Sequence, residues 1–270
     1  MFELINLCYL RHRYTYWARH GVKGPNYVDI SEFISKFTDT CIGNYRRYGR
    51  IYGAYFFTNN WLIVNEPELI KDIVVKDFQH FPNRYDMNLG QTGLSSALFF
   101  MRGDDNWKRI LREELNALDT DFTYENLNQC QYLNAVIDES LRLAPPLASI
   151  QRECIRDYKL GNTGITVPAG TNIEFQPYVI HRDPELFADP DQFKPERFLK
   201  PTHHPYAYIP FGGGPRLCVG MRFALNEMRM CIAKIVHKFE FTLAPGFEMD
   251  YFTGSILITP KQVLVTIKNC

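Results

Sequence analysis

Phe211-Gly212-Gly213-Gly214-Pro215-Arg216-Leu217-Cys218-Val219-Gly220 is the stretch whose reading decides the fold. Three successive glycines let the backbone turn tightly and approach a flat ligand, because no Cβ intrudes. Met221, Ala224, Leu225, Met228, Ile232, Ile235 and Phe239 then recur at helical spacing, so Cys218 sits just ahead of a strong amphipathic helix. Free amide N–H groups and the positive end of such a helix favour an anion. A thiolate there can serve as a metal ligand or a nucleophile. Arg216 adds a fixed cation able to meet a carboxylate. A small buried cysteine behind a glycine turn is the plainer reading of the same residues. A phosphate cradle is a poorer fit, since Gly-Lys-Ser/Thr is absent and Pro215 removes an N–H donor.

The rest of the chain supplies ample core material. Its 270 residues suggest about two domains or one larger core, with 46% hydrophobic and 22% charged residues and 20 Phe beside 16 Tyr. Thirty basic residues balance thirty acidic ones, so no global field recruits nucleic acid. Cysteines at 8, 41, 130, 154, 218, 231 and 270 include no Cys-x-x-Cys, which argues against a zinc site or disulfide framework and for a reducing compartment. Met1 to Leu10 is only briefly apolar, with Glu3 inside it and Arg11-His12-Arg13 behind it. A membrane span needs roughly 20 apolar residues, so residues 1–20 read as the stub of an anchor.

Gly21 to Pro25 reads as a hinge. A short helix is expected over 38–48, then two β-rich runs from Ile51 to Val64 split by Asn59-Asn60. Glu66-Pro67-Glu68 opens a helix through Val75, and residues 104–118 read as another behind Asp104 and Asp105. A further helix begins at Thr123 and keeps Leu133, Val136, Ile137 and Leu141 on one face until Pro145-Pro146 stops it. Arg152 to Phe175 reads as β structure, 177–210 as a Pro-rich meander, and 241–268 as hairpins.

Phe-x-x-Gly-x-Arg-x-Cys-x-Gly, from Phe211 to Gly220, resembles the haem-binding loop of cytochromes P450. Glu139 and Arg142 lie three apart on one predicted helix face, and Pro195-Glu196-Arg197-Phe198 lies shortly before the cysteine loop. By that resemblance Glu139, Arg142 and Arg197 form a buried ion triad under the haem, and Cys218 is the axial ligand. Arg84, Trp107, Arg152 and Arg216 are implied to hold the propionates, Phe211 to shield the sulfur, and Gly220 to complete the cofactor loop. His181-Arg182-Asp183-Pro184 matches a stretch found between sheet and meander; His181 is not read as a ligand, and His203 and His204 are read as exposed.

The resemblance comes in two pieces. Residues 21–110 look like the N-terminal segment of an animal microsomal P450, and residues 111–270 like its C-terminal segment, joined at Ile110-Leu111. Leu111 occupies a position where the family often places a further propionate arginine. The central Ala/Gly-Gly-x-Asp/Glu-Thr motif, whose acid and alcohol handle protons on the distal haem face, does not occur. The expected fold is therefore mainly α with small β-sheets, P450-like and internally truncated. The implied function is a haem-thiolate monooxygenase acting on an apolar small molecule. Its implied partners are an NADPH-dependent flavoprotein reductase and the cytosolic face of the endoplasmic reticulum membrane. A catalytically inactive truncated isoform that binds haem weakly or not at all and a haem-thiolate peroxide isomerase are the alternatives, and no catalytic side chain is assigned.

Overall fold

The hairpin expected around Asn59-Asn60 forms as β1 (Ile51–Phe56) against β2 (Asn59–Val64), paired from Ile51↔Val64 to Phe56↔Asn59 in a computed structural model. That structure describes residues 14–25, 36–56, 59–83, 106–244, 246–247, 257–258, 260–262 and 264–269. Arg84, Asp104, Asp105 and most of the anchor stub lie outside them.

Trp61 to Val64 are all buried, as a central strand covered on both faces requires. The reason is the sheet order: β2 is flanked by β1 and, in parallel, by β6 (Asn172–Phe175), which pairs antiparallel with β3 (Ile150–Glu153). A small ribbon, β4 (Tyr158–Lys159) with β5 (Thr166–Val167), closes the loop between β3 and β6.

Gly21 to Pro25 is a packed turn rather than a hinge. The short helix α1 (Tyr16–Arg19) presses Trp17 onto β1, where its Nε1–H donates to the Ala54 carbonyl at 3.1 Å. Any Cβ at Gly53 would overlap that indole, and Gly53 N–H donates to the Lys23 carbonyl at 2.8 Å. Helix α2 (Phe37–Tyr48) covers the other end of the sheet. Helix α3 (Pro67–Lys71) starts on a proline, which costs nothing where the first N–H is unpaired anyway, and continues as a π-helical turn over Asp72–Lys76.

A second core lies among helices. In α4 (Asn106–Asn116), Trp107, Leu111 and Leu115 recur every four residues and are all buried. The single helix expected from Thr123 is two: α5 (Tyr124–Gln129), capped by the Thr123 hydroxyl, and α6 (Gln131–Leu143). The break at Cys130 has a clear cause. Both carboxylate oxygens of Glu114, from α4, accept the Tyr132 and Leu133 N–H groups at 2.9 Å and so satisfy the open end of α6. Nor does α6 bury one face only. Nearly every side chain from Tyr132 to Leu143 is buried, including Glu139 and Arg142.

Helices α7 (Pro177–Ile180) and α8 (Glu196–Leu199) punctuate the meander, and the long α9 (Met221–Lys238) follows the cysteine loop. β7 (Phe239–Leu243) pairs with β8 (Val265–Asn269) beyond it. The chain is mixed α+β, mainly helical with small sheets, as expected.

Candidate functional site

The cysteine loop is built by two left-handed glycines. Gly212 (φ 77°) and Gly214 (φ 66°) turn the chain where side-chain-bearing residues would be strained, and a Cβ on Gly214 would overlap the Val74 carbonyl oxygen. A 3₁₀ turn over Gly214–Arg216 follows, closed by Leu217 N–H to Gly214 C=O at 2.9 Å. Cys218 N–H then donates to Phe211 C=O at 3.0 Å, and Cys218 C=O accepts the first amide of α9, Met221 N–H, at 3.2 Å. The thiol is free and exposed. It stands among apolar side chains that also face solvent: Leu217 (41% exposed), Val219 (103%) and Phe223 (75%). Phe211, half-buried, packs on the helical core that contains Trp107.

Behind the loop the predicted ion triad forms. Arg142 Nε and Nη2 donate to the two oxygens of Glu139 at 2.7 and 2.9 Å, with both side chains fully buried. Arg197 Nε reaches the same carboxylate at 3.1 Å, and Lys194 N–H donates to it at 2.7 Å. The arginines' remaining donors reach across the meander. Arg142 binds the His181 and Gln192 carbonyls, and Arg197 binds those of Ala188 and Asp189. One carboxylate thus pins α6 to the meander that leads into the cysteine loop. The spacing of Glu139 and Arg142 is visible in sequence; the carbonyls at 181, 188, 189 and 192 are not.

The candidate propionate cations divide. Arg152, on β3, is buried and donates from Nη1 to its neighbouring Gln151 carbonyl at 2.8 Å. Arg216 stays exposed, and its Nε donates to Pro82 C=O at 3.0 Å. Pro82 precedes Asn83, whose carbonyl accepts Glu153 N–H at 3.1 Å, so Arg216 and Arg152 are brought to the same sheet edge. Trp107 is buried and stacks near Phe193, with centroids 5.2 Å apart. Arg84 lies outside the described residues. His203 and His204, expected to be exposed, are half-buried. His203 packs on Phe187 and Phe198, and His204 Nε2 lies 2.9 Å from Glu68.

These features agree with a match to the cytochrome P450 family model over residues 90–267, and the chain belongs to that family. It is 44% identical over 122 residues to cytochrome P450 3A29 of Sus scrofa, a match covering 44% of this chain and 24% of that protein. It is 41% identical over 153 residues to cytochrome P450 4c21 of Blattella germanica, covering 54% and 30% of the two chains. With cytochrome P450 3A19 of Capra hircus aegagrus the figures are 36% over 156 residues, 56% and 71%. The matched stretch therefore spans less than a third of the first two relatives.

The family's cofactor is haem with an axial thiolate, and the residues present fit it. Among the described residues no cluster of three or more His, Cys, Asp or Glu side chains could hold a bare ion. Cys218 offers a soft sulfur donor, which suits a metal that arrives with its other ligands already in place. The exposed apolar rim of Leu217, Val219 and Phe223 suits the face of a flat hydrophobic ring.

Proposed function

We propose that this chain carries the haem-thiolate centre of a P450 monooxygenase, with Cys218 as the axial ligand. The observation that carries the reading is an exposed thiol just ahead of an 18-residue helix, its backbone amide held by the Phe211 carbonyl, with the apolar side chains of Leu217, Val219 and Phe223 exposed on the same short stretch. Arg84, Trp107, Arg152 and Arg216 would hold the propionates. Phe211 would keep water from the sulfur, and Gly220 would complete the loop next to it, where even a Cβ would lie at ordinary contact distance, 4.0 Å, from Cys218 Sγ. Glu139, Arg142 and Arg197 would hold the loop's footing. The bound group would supply oxygen activation, with the thiolate donating electron density to the metal.

On this reading the substrate is an apolar small molecule and electrons come from an NADPH-dependent flavoprotein reductase. The site of action is the endoplasmic reticulum membrane. Among the described residues no helix is long and apolar enough to cross a membrane. Residues 21–110 and 111–270 would correspond to N- and C-terminal P450 segments joined at Ile110-Leu111.

One observation favours a second reading, a catalytically inactive truncated isoform that binds haem weakly or not at all. The sequence lacks the Ala/Gly-Gly-x-Asp/Glu-Thr motif that would supply an acid and an alcohol on the distal face. The reduced, carbon monoxide-bound spectrum of the haem-loaded chain tests ligation: a thiolate-type Soret band should appear and vanish in Cys218→Ala. A band that survives that substitution refutes the assignment. Substrate turnover with added reductase then separates the two readings.

A further inference from the structure

We propose that His181 is the positioning residue of the Cys218 loop, holding Ile209 through one fixed tautomer of a neutral ring. The proposal rests on the reading of Cys218 as the ligand, but its geometry stands apart from it. His181 is fully buried just after α7, and both ring nitrogens have backbone partners on different elements. Nε2 lies 3.1 Å from Ile209 N, and Nδ1 lies 3.1 Å from Arg142 O.

The partners decide the tautomer. An amide N–H can only donate, so Nε2 must present its lone pair to Ile209. The proton is then on Nδ1, where it donates to the Arg142 carbonyl. That carbonyl lies in the last turn of α6, among those left without an amide of their own helix. In return, Arg142 Nη1 donates to the His181 carbonyl at 2.7 Å. The imidazole therefore bridges the triad helix and the segment entering the loop.

From Ile209 the constraint reaches the cysteine in two steps. Ile209 C=O accepts Gly212 N–H at 3.1 Å, which sets the glycine turn. Phe211 C=O, inside that turn, accepts Cys218 N–H at 3.0 Å. Protonating Nε2 would set N–H against N–H at Ile209 and release the first link. The surroundings oppose that charge. Burial and the cations of Arg142 and Arg182, with His203 nearby, hold the ring's pKa well below its usual value. The Glu139 carboxylate is already engaged by Arg142 and Arg197, and Tyr208 presents its ring at 5.4 Å.

Two measurements test this on the whole chain, without haem. Long-range proton–nitrogen NMR of the wild type should show His181 as the Nδ1–H tautomer, unchanged between about pH 5.5 and 8. An Nε2–H signal, or titration within that window, overturns the proposal even if no variant folds. Hydrogen exchange followed by mass spectrometry supplies the second. His181→Phe, which keeps a ring but no hydrogen bond, should speed exchange over residues 206–220 about ten-fold while α9 stays protected. His181→Gln, with a donor and an acceptor at its tip, should restore much of that protection. Unchanged exchange in the loop, or an equal rise throughout the chain, counts against positioning. Because these readouts need no metal, a thiolate-type band surviving in Cys218→Ala would remove the ligand assignment and leave the His181 result standing.

Discussion

Replacing Glu139 by Gln should cost about 3–5 kcal/mol, because it strands buried cations rather than merely deleting a contact. Glu139 and Arg142 have no exposed side-chain surface, and Arg197 has 13%. The carboxylate receives Arg142 twice, Arg197 once and the Lys194 amide once. Glutamine keeps the volume but not the charge, and its NH₂ group would point a donor at one of these donors. The measure of that cost is an ion pair of the same length in water. Arg109 Nη1 lies 2.6 Å from Glu113 on α4, yet both side chains are more than 60% exposed. Arg109→Ala should therefore cost less than about 1 kcal/mol. Urea unfolding followed by tryptophan fluorescence reads both variants, since Trp17, Trp61 and Trp107 are all buried. Against a typical total of about 5–15 kcal/mol, the Glu139 loss would leave a marginal fold, and Glu139→Ala should yield little soluble, haem-loaded protein. A loss under about 1 kcal/mol for Glu139→Gln, comparable to Arg109→Ala, would refute a structural role for the triad.

Two further predictions concern the frame around the site. Burial pushes the Glu174 carboxyl up from 4.5 to about 7, with bonds from Gln176 and Ser149 pulling partway back. A folded pKa above the unfolded one means its contribution is full below about pH 4.5 and lost as pH rises to about 7, a change of about 3 kcal/mol. Melting temperatures of wild type and Glu174→Gln should therefore diverge across that window in the variant's favour; parallel curves would contradict the buried, neutral acid. Gly214→Ala should destabilise clearly more than Gly164→Ala. Both have positive φ (66° and 76°), but only at 214 would the new Cβ meet the Val74 carbonyl, so equal urea midpoints would deny that contact.

The cysteine loop was legible through its resemblance to a family motif, and part of it also answers a local demand: glycines for left-handed φ at 212 and 214, and a helix start behind Cys218. Glu139 with Arg142 was legible for the same reason, since three residues on a helix make neighbours. What sequence hid was every partner chosen by tertiary packing. Glu114 caps α6 from another helix, which is why one expected helix became two. Trp17 finds Gly53, so a glycine-proline stretch that looks like a hinge is locked to the sheet. His203 lies between Phe187 and Phe198, which no reading of two adjacent histidines could place. His181 held a visible clue, a histidine in a motif with no assigned role, but its partners at 142 and 209 emerge only in space.

Position 111 shows how the same packing shapes the site. The family resemblance places a cation there, and the structure places Leu111 wholly inside the core with Trp107 and Leu115. Those three residues form the stripe by which α4 joins the helical core of α6 and α9. An arginine on that stripe would be a buried charge needing a partner of its own, whereas leucine completes the apolar seam. Arg112 does not replace it. One step on, about 100° around the helix, its guanidinium donates to the Val236 and Phe239 carbonyls at 3.3 and 3.1 Å. It thereby serves the C-terminal end of α9, where a cation also complements the helix dipole. Arg112 is thus committed to fixing the far end of the helix that follows Cys218. On the proposed reading, the described cations left for a haem are those at the edge of the sheet, the buried Arg152 and the exposed Arg216 that donates to Pro82 C=O.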